Sequence, residues 1–217
     1  MVDTASIIAA ATAEVERRVF GVTRQFLEVH TVARENGQPK VAGIALADDQ
    51  ATAIVYFAIE DERFYFAVKV SVATGEVLVP WTEDWHQLSF HATSETLGVP
   101  QLSALTSLQP THTLNKGDNR GNAIRKWPYH SIEFEPNPEP APFEEKLEKL
   151  LTFLEQDAPG TRSLVDKAGG YIRVISEFYN GNTSLGGIVL DQEAVRRMAA
   201  LNLGVDFDLN AEGNFYR

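Results

Sequence analysis

The stretch best suited to chemistry lies in the middle of the chain, between Glu95 and Glu133. Asp118 is its only acid, while Lys116, Arg120, Arg125 and Lys126 supply four positive charges, a net of +3 inside a chain whose net charge is −11. Gly117 and Gly121 let backbone amides come close to a ligand. His112 and His130 flank the charges, and Thr111 precedes them. Arginine forks and free amides at this spacing would hold a small phosphate or carboxylate. The candidate ligand-binding residues are therefore Thr111, His112, Lys116, Gly117, Asp118, Arg120, Arg125 and His130. The competing expectation is a solvated loop whose charges pair with the acidic segment at Glu133, Glu135 and Glu139, because exposed charges contribute little on their own.

Other constellations carry less. The five histidines are His30, His86, His91, His112 and His130, and no two have the i, i+4 spacing of a helical zinc site. Asp206 and Asp208 share one face of a strand, an arrangement open to a hard cation or to acid–base work. A solvated strand face is the plainer reading. The chain has no cysteine, which excludes disulfides, thiolate nucleophiles and iron–sulfur clusters. It has no Gly-x-Ser-x-Gly elbow, no phosphate-binding Walker loop and no Gly-x-Gly-x-x-Gly. No catalytic residue, metal ligand or cofactor is expected. Trp81, Trp85, Trp127, Tyr129, Phe134 and Phe143 are expected to build core and domain interface rather than a ligand cage.

The 217 residues, 44% hydrophobic and 23% charged, have the composition of an ordinary globular protein, not a disordered or fibrous one. Thirty acidic residues against 19 basic ones disfavour nucleic acid and anionic membranes as partners. The apolar run Ile7 to Ala11 has no positive segment before it, and Glu14, Glu16, Arg17 and Arg18 follow directly, the reverse of a signal peptide. No apolar run approaches the roughly 18 residues of a membrane span. A cytoplasmic protein is expected.

Asp3 or Thr4 can cap a first helix carrying Ile7, Ile8, Ala11, Val15 and Val19, ended by Gly21. Strands are expected over Val22 to Arg34, Lys40 to Ala47, Ala53 to Ile59, Arg63 to Val72 and Glu76 to Val79, the last stopped by Pro80. Turns fall at Asn36-Gly37, Asp48-Asp49, Glu60 to Glu62 and Thr74-Gly75. One helix and hairpin-linked strands give an antiparallel sheet wrapped on that helix, in layout like the cystatin-type roll. Trp81 to Trp85 is read as a joint between units at 1–82 and 83–217. Beyond it come a strand from His86 to Thr93, a short helix from Pro100 to Leu108, a loop over 115–126, a strand from Trp127 to Phe134 and an extended proline connector over 135–142. A leucine-striped helix follows from Phe143 to Leu154, then one or two helical turns over Arg162 to Ala168 after Pro159-Gly160. Strands are expected at Tyr171 to Tyr179, Leu185 to Leu190 and Val205 to Leu209, with a helix capped by Asp191 before the last. The whole is α+β: an N-terminal helix with an antiparallel sheet, then an α/β sandwich with a mostly antiparallel sheet and helices on one face.

Several pieces of the second half recur in a fixed order: Leu97-Gly98-Val99-Pro100, Leu108-Gln109-Pro110-Thr111, Lys116-Gly117-Asp118, Trp127 with Ser131, Leu190-Asp191, and Leu201 to Leu209. Together they resemble the bacterial domain-of-unknown-function family 4279 over roughly residues 86–210. The resemblance implies a strand and short helix leading into a Pro-Thr element, a Lys-Gly-Asp loop, a tryptophan strand, and a closing helix and strand. It implies no reaction. The chain departs from the family at His91 to Glu95, where members often carry an Asp-rich turn.

The function expected is that of a cytoplasmic bacterial non-enzymatic binding protein of immunity or inhibitor type. Its acidic surface would cap a basic protein partner by electrostatic complementarity, or its basic stretch would hold a small anion. The alternatives are an enzyme acting on a small phosphorylated or carboxylated substrate at the 116–126 loop, and a structural homo-oligomer.

Overall fold

Asp3 opens the first helix by accepting a hydrogen bond from the Ser6 amide at 2.7 Å, which satisfies one of the free donors of the first turn. The helix, α1 (Thr4–Arg17), ends where Arg18 turns left-handed at φ 53°. Ile7, Ala11 and Val15 lie at helical spacing and are buried together. A computed structural model describes residues 2–47, 51–120, 125–181 and 187–214.

The face of α1 packs on a four-stranded antiparallel sheet, β3 (Val41–Leu46), β4 (Thr52–Ala58), β5 (Tyr65–Ser71) and β6 (Val77–Glu83), in that order. Val55, Phe57, Phe66, Val68 and Val70 meet it from the sheet. The helix-on-antiparallel-sheet layout is the expected one, but its approach differs. Gly21–Phe26 is a helix, α2, where a strand from Val22 was expected. Thr23 and Phe26, three residues apart, are both fully buried. Glu14 of α1 accepts from the Thr23 hydroxyl at 2.5 Å and the Phe20 amide at 3.0 Å, fixing the turn. A small hairpin follows, β1 (Arg34–Glu35) and β2 (Gln38–Pro39), joined by Asn36 and Gly37 at positive φ. The turn expected at Asp48-Asp49 lies outside the described residues.

The expected stop at Pro80 is also corrected: β6 runs through it to Glu83. An edge strand tolerates proline because its missing amide can face outward. Only Asp84 then separates β6 from β7 (Trp85–Ser94), the middle strand of a second sheet.

That sheet has five strands in the order β11 (Gly204–Glu212), β10 (Tyr171–Tyr179), β7, β9 (His130–Phe134) and β8 (His112–Leu114). All pairs are antiparallel except β10 with β11. The helices α3 (Val99–Ser103), α4 (Phe143–Glu155), α5 (Ala158–Ala168) and α6 (Gln192–Ala200) contribute to a single core on one face. Leu147, Leu150, Leu151 and Leu154 of α4 are buried together as expected. The helix lies chiefly over β7, with Ile172 and Val174 of β10 in the same cluster. Pro159-Gly160 starts α5 rather than interrupting the chain before it. Asp157 caps it, accepting from the Gly160 amide at 3.0 Å, while its other oxygen takes the Ser107 amide at 2.6 Å and the Thr106 hydroxyl at 2.8 Å. The chain over 187–190 is not a strand, and 185–186, the start of the expected one, lie outside the described residues.

The two sheets share no strand, yet the two halves are interlocked. Tyr179, at the end of β10, is buried in the first core among Phe26, Phe64 and His30. Its hydroxyl donates to the Asn214 carbonyl at 2.9 Å, and the Asn214 amide donates to His30 Nε2 at 3.0 Å. The proline connector crosses β3, where a Cβ on Gly43 would stand 2.8 Å from Pro140 Cδ. Lys146 pins the connector by donating to the Asn137 carbonyl at 2.9 Å. Burial pushes its ammonium down to about 8 although Glu135 and Glu139 pull it up.

Two stability outcomes are expected. Leu151→Ala should cost about 2–5 kcal/mol in a urea titration, from lost transfer energy plus a cavity. A loss below about 0.5 kcal/mol would contradict its core position. Asp157→Ala should cost about 1–2 kcal/mol near neutral pH. The bonds from Ser107, Thr106 and Gly160 hold the Asp157 carboxyl down to about 2. Its ionised form therefore contributes stability above the ordinary aspartate range, lost as pH falls toward the folded value. The gap between wild type and variant, measured from pH 6 downward, should narrow only below about pH 4.

Candidate functional site

A strand packed on one side sends alternate side chains to the core and to the opposite face. Phe90, Ala92, Ile132, Phe134, Ile172 and Val174 face the helices. The register then places Tyr171, His91, Glu133 and His112 as successive cross-strand partners on the other face, in a row running from β10 through β7 and β9 to β8. Thr93, Ser131 and Leu114 form the next rung, and Arg173 opposes Ser89 on the other side. Among the described residues no helix covers this face. A groove of about 310 Å³ runs along it, walled by Trp127 and Tyr129 and floored by the row. That volume is at the lower end of small-ligand pockets.

Glu133 is the electrostatic centre. Its Oε1 lies 3.1 Å from His91 Nε2, and the same nitrogen lies 2.9 Å from the Ser89 hydroxyl. The carboxylate is the stronger acceptor, which assigns the imidazole proton to Nε2, directed at Glu133. Burial pushes the Glu133 carboxyl up, but hydrogen bonds from His91 and Ser89 and the charges of His91 and His112 outweigh it and hold the group below the ordinary glutamate range. The His91 ring stacks against Tyr171, with centroids 6.0 Å apart. Serine, histidine and carboxylate stand together here, but not as a nucleophilic relay. A relay uses both ring nitrogens, one for the serine and one for the acid. Here both partners meet Nε2, and Ser89 is only 2% exposed.

The basic stretch reaches this groove only through Trp127. Residues 115–120 and 125–127 pair as a hairpin: the Gly117 amide donates to the Trp127 carbonyl at 2.9 Å, the Trp127 amide to the Asp118 carbonyl at 3.0 Å, and the Arg120 amide to the Arg125 carbonyl at 2.9 Å. Gly117 takes φ 92°, which favours glycine. The Gly117 and Asp118 amides are therefore engaged within the hairpin, Asp118 with the Asn115 carbonyl, and are not free donors for a ligand. The Asp118 side chain caps the Asn115 amide at 2.9 Å. Lys116 donates through Nζ to the Glu95 carbonyl and through its amide to His130 Nδ1, both at 3.2 Å. His130 thus holds the hairpin, and Thr111 Oγ1 accepts from the Glu135 amide at 3.0 Å. Arg120 lies over the Trp127 ring, 4.5 Å from its centroid, and Arg125 is exposed. Of the eight candidates only His112 lines the groove. Gly121 lies outside the described residues. Among the described residues no ion pair joins these charges to the acidic connector: Glu133 meets His91, and Glu135 accepts from Gln87 at 2.8 Å.

Trp127 and Tyr129 wall the groove instead of entering a core, while Phe134 and Phe143 are buried as expected. Trp81 donates to Glu83 at 2.6 Å and Trp85 carries Arg63 over its ring. Tyr171, Arg173, Ser89 and Ser131 were not legible as site residues, because only the register of four strands brings them to one face. Asp206 and Asp208 are exposed on β11, and Asp208 stands 3.9 Å from Arg173. Among the described residues no group of three histidines or carboxylates is placed to hold a metal ion, and no helix is long and apolar enough to cross a membrane.

The site thus sits on the bare face of an α+β sandwich, within the part of the chain whose motifs are shared with other proteins. The family model described as Domain of unknown function (DUF4279) matches residues 83–212, from the end of β6 to the end of β11, and the chain belongs to this family. No curated protein and no solved structure matches it.

The carboxyl carbon of Glu133 should titrate below the ordinary glutamate range in ¹³C NMR, and His91→Ala should move its midpoint upward. A depressed carboxylate contributes stability above its unfolded pKa and loses it as pH falls through the folded one. The stability difference between wild type and Glu133→Gln should therefore shrink on acidification. A Glu133 midpoint unmoved by His91→Ala would show that the pair is not formed.

Proposed function

We propose that the protein is a cytoplasmic bacterial binding protein, not an enzyme, and that the open face of its five-stranded sheet holds a small planar ligand bearing an anionic group. In this reading residues 1–82 are a supporting unit and residues 83–217 carry the site. One observation supports it above others: three aromatic side chains, a charged Glu133 and Arg173 line a single groove of about 310 Å³. Trp127, Tyr129 and Tyr171 offer flat apolar surface to a ring. Glu133 accepts from ring N–H groups, which suits donors and repels a bare anion at the floor. Arg173 and, beyond the Trp127 ring, Arg120 offer charge to an anionic substituent farther out. The shared use of His91 Nε2 and the burial of Ser89 speak against acyl transfer here. The acidic balance of the chain speaks against nucleic acid or an anionic membrane as the occupant.

Calorimetric titration with nucleobases, nucleotides, aromatic carboxylates, aliphatic dicarboxylates and inorganic phosphate tests this. Planar compounds with an anionic group should bind, phosphate and aliphatic dicarboxylates much more weakly. Tyr171→Ala and Glu133→Gln should each lower affinity roughly tenfold or more, the scale of one lost stacking or charged hydrogen bond. Arg120→Ala with Arg125→Ala should weaken the salt-sensitive part without lowering Tm. Equal affinity for ringed and ringless anions, or variants that bind like wild type, would overturn the proposal.

A further inference from the structure

The edges of the two sheets are not alike. β3 breaks its register between Val41 and Gly43, β6 carries Pro80, and β8 is three residues long. Bulges, prolines and short strands are the devices by which natural proteins blunt a sheet edge against unwanted pairing. β11 has none of these three, and its guard is charge alone, in Asp206, Asp208 and Glu212. It pairs with β10 over nine consecutive residues without a shift, from Gly204 to Glu212, and contains no proline, lysine or arginine. Apart from Val205 every one of its residues is exposed.

Among the described residues no strand pairs with its other side, and that side has a definite chemistry. In a parallel ladder, alternate residues direct both N–H and C=O to the neighbouring strand and the rest direct them away. The Glu212 carbonyl accepts from the Asn180 amide, so Glu212 and every second residue before it bond to β10. The backbone groups of Val205, Phe207, Leu209 and Ala211 point to the open side. The side chains split by face in the same way. Asp206, Asp208, Asn210 and Glu212 share the face of the groove; Val205, Phe207, Leu209 and Ala211 share the helix face. Phe207 is 39% exposed and Leu209 54%. Of the acids on β11 only Asp208 has a cation within ion-pair reach among the described residues, Arg173 at 3.9 Å.

We infer that the free edge of β11 accepts an extended segment of a partner protein as a sixth strand, with side chains that alternate between basic and apolar. Strand addition supplies main-chain hydrogen bonds, and alternate side chains supply selection. Basic side chains on one face would meet Asp206, Asp208 and Glu212, while apolar ones on the other would cover Phe207 and Leu209. A second copy of this chain does not fit. Pairing β11 with itself would set its acidic face beside an identical one, and like charges across a ladder are destabilising. The inference does not rest on a ligand in the groove, whose nearest lining residue, Arg173, stands on the neighbouring β10.

Amide hydrogen exchange of the full chain, followed by NMR, tests it with three nine-residue peptides: one alternating Lys with Val, one of the same composition with the lysines grouped, and one alternating Glu with Val. The Lys/Val alternating peptide should slow exchange at Phe207, Leu209 and Ala211 by about tenfold or more, and the other two should not. Asp206→Lys with Asp208→Lys should abolish that protection and transfer it to the Glu/Val peptide. Equal protection by the grouped peptide, or none with any, would overturn the inference. So would protection without peptide accompanied by a dimer in sedimentation, since the occupant would then be a second copy.

Discussion

Phe90, Phe134, Ile132, Ile172 and Val174 must all face α4 and α5, and that one-sided burial fixes the register of β7, β9 and β10. A slip of one residue would carry every one of them to the bare face. Each buried side chain of this size is worth about 1.5–3 kcal/mol, whereas the largely buried His91–Glu133 pair must first offset the cost of taking its groups out of water. The apolar rows therefore decide where the polar row lies. Tyr171, His91, Glu133 and His112 meet because their neighbours are hydrophobic, not because they attract one another. Their placement is rigid for the same reason, as a preformed binding surface requires.

β10 extends that constraint to the rest of the molecule. Its bare-face positions begin with Tyr171 and Arg173 at the groove and end with Tyr179 inside the first core. One strand thus ties the position of the groove to the packing of α1 and its sheet. His30 completes the tie: burial lowers its pKa, the neutral ring stacks on Phe26, and Nε2 accepts from Asn214. Asp84, the single residue between the sheets, accepts from the Tyr179 amide at 3.2 Å. The short joint, the Pro140 contact with β3 and the tail at Asn214 bind the halves at three separated places.

Elements whose information is local were legible in the sequence. The Asp3 and Asp191 caps, the alternation of β4 and β5 and the leucine stripe of α4 need only their own residues. Elements that depend on what lies across from them were not. Val22 to Phe26 alternates as a strand does, but Thr23 and Phe26 have partners that only a helical turn can reach. Pro80 is tolerated because β6 is an edge, which is a property of topology. The basic stretch was legible as a charge cluster, yet its amides close a hairpin on Trp127, and its place beside the groove follows from the pairing of β8 with β9. Trp127 and Tyr129 read as core residues because aromatic composition does not say which face of a sheet is left uncovered.

The central claim is that this uncovered face is a binding surface. Native mass spectrometry of the chain, purified without denaturation from cells that make it, tests that claim most directly. The account predicts a small-molecule adduct on the 24.0 kDa chain that is lost when Trp127→Ala and Tyr171→Ala are combined. An adduct retained in that double variant, or an unadducted chain in both, would contradict it.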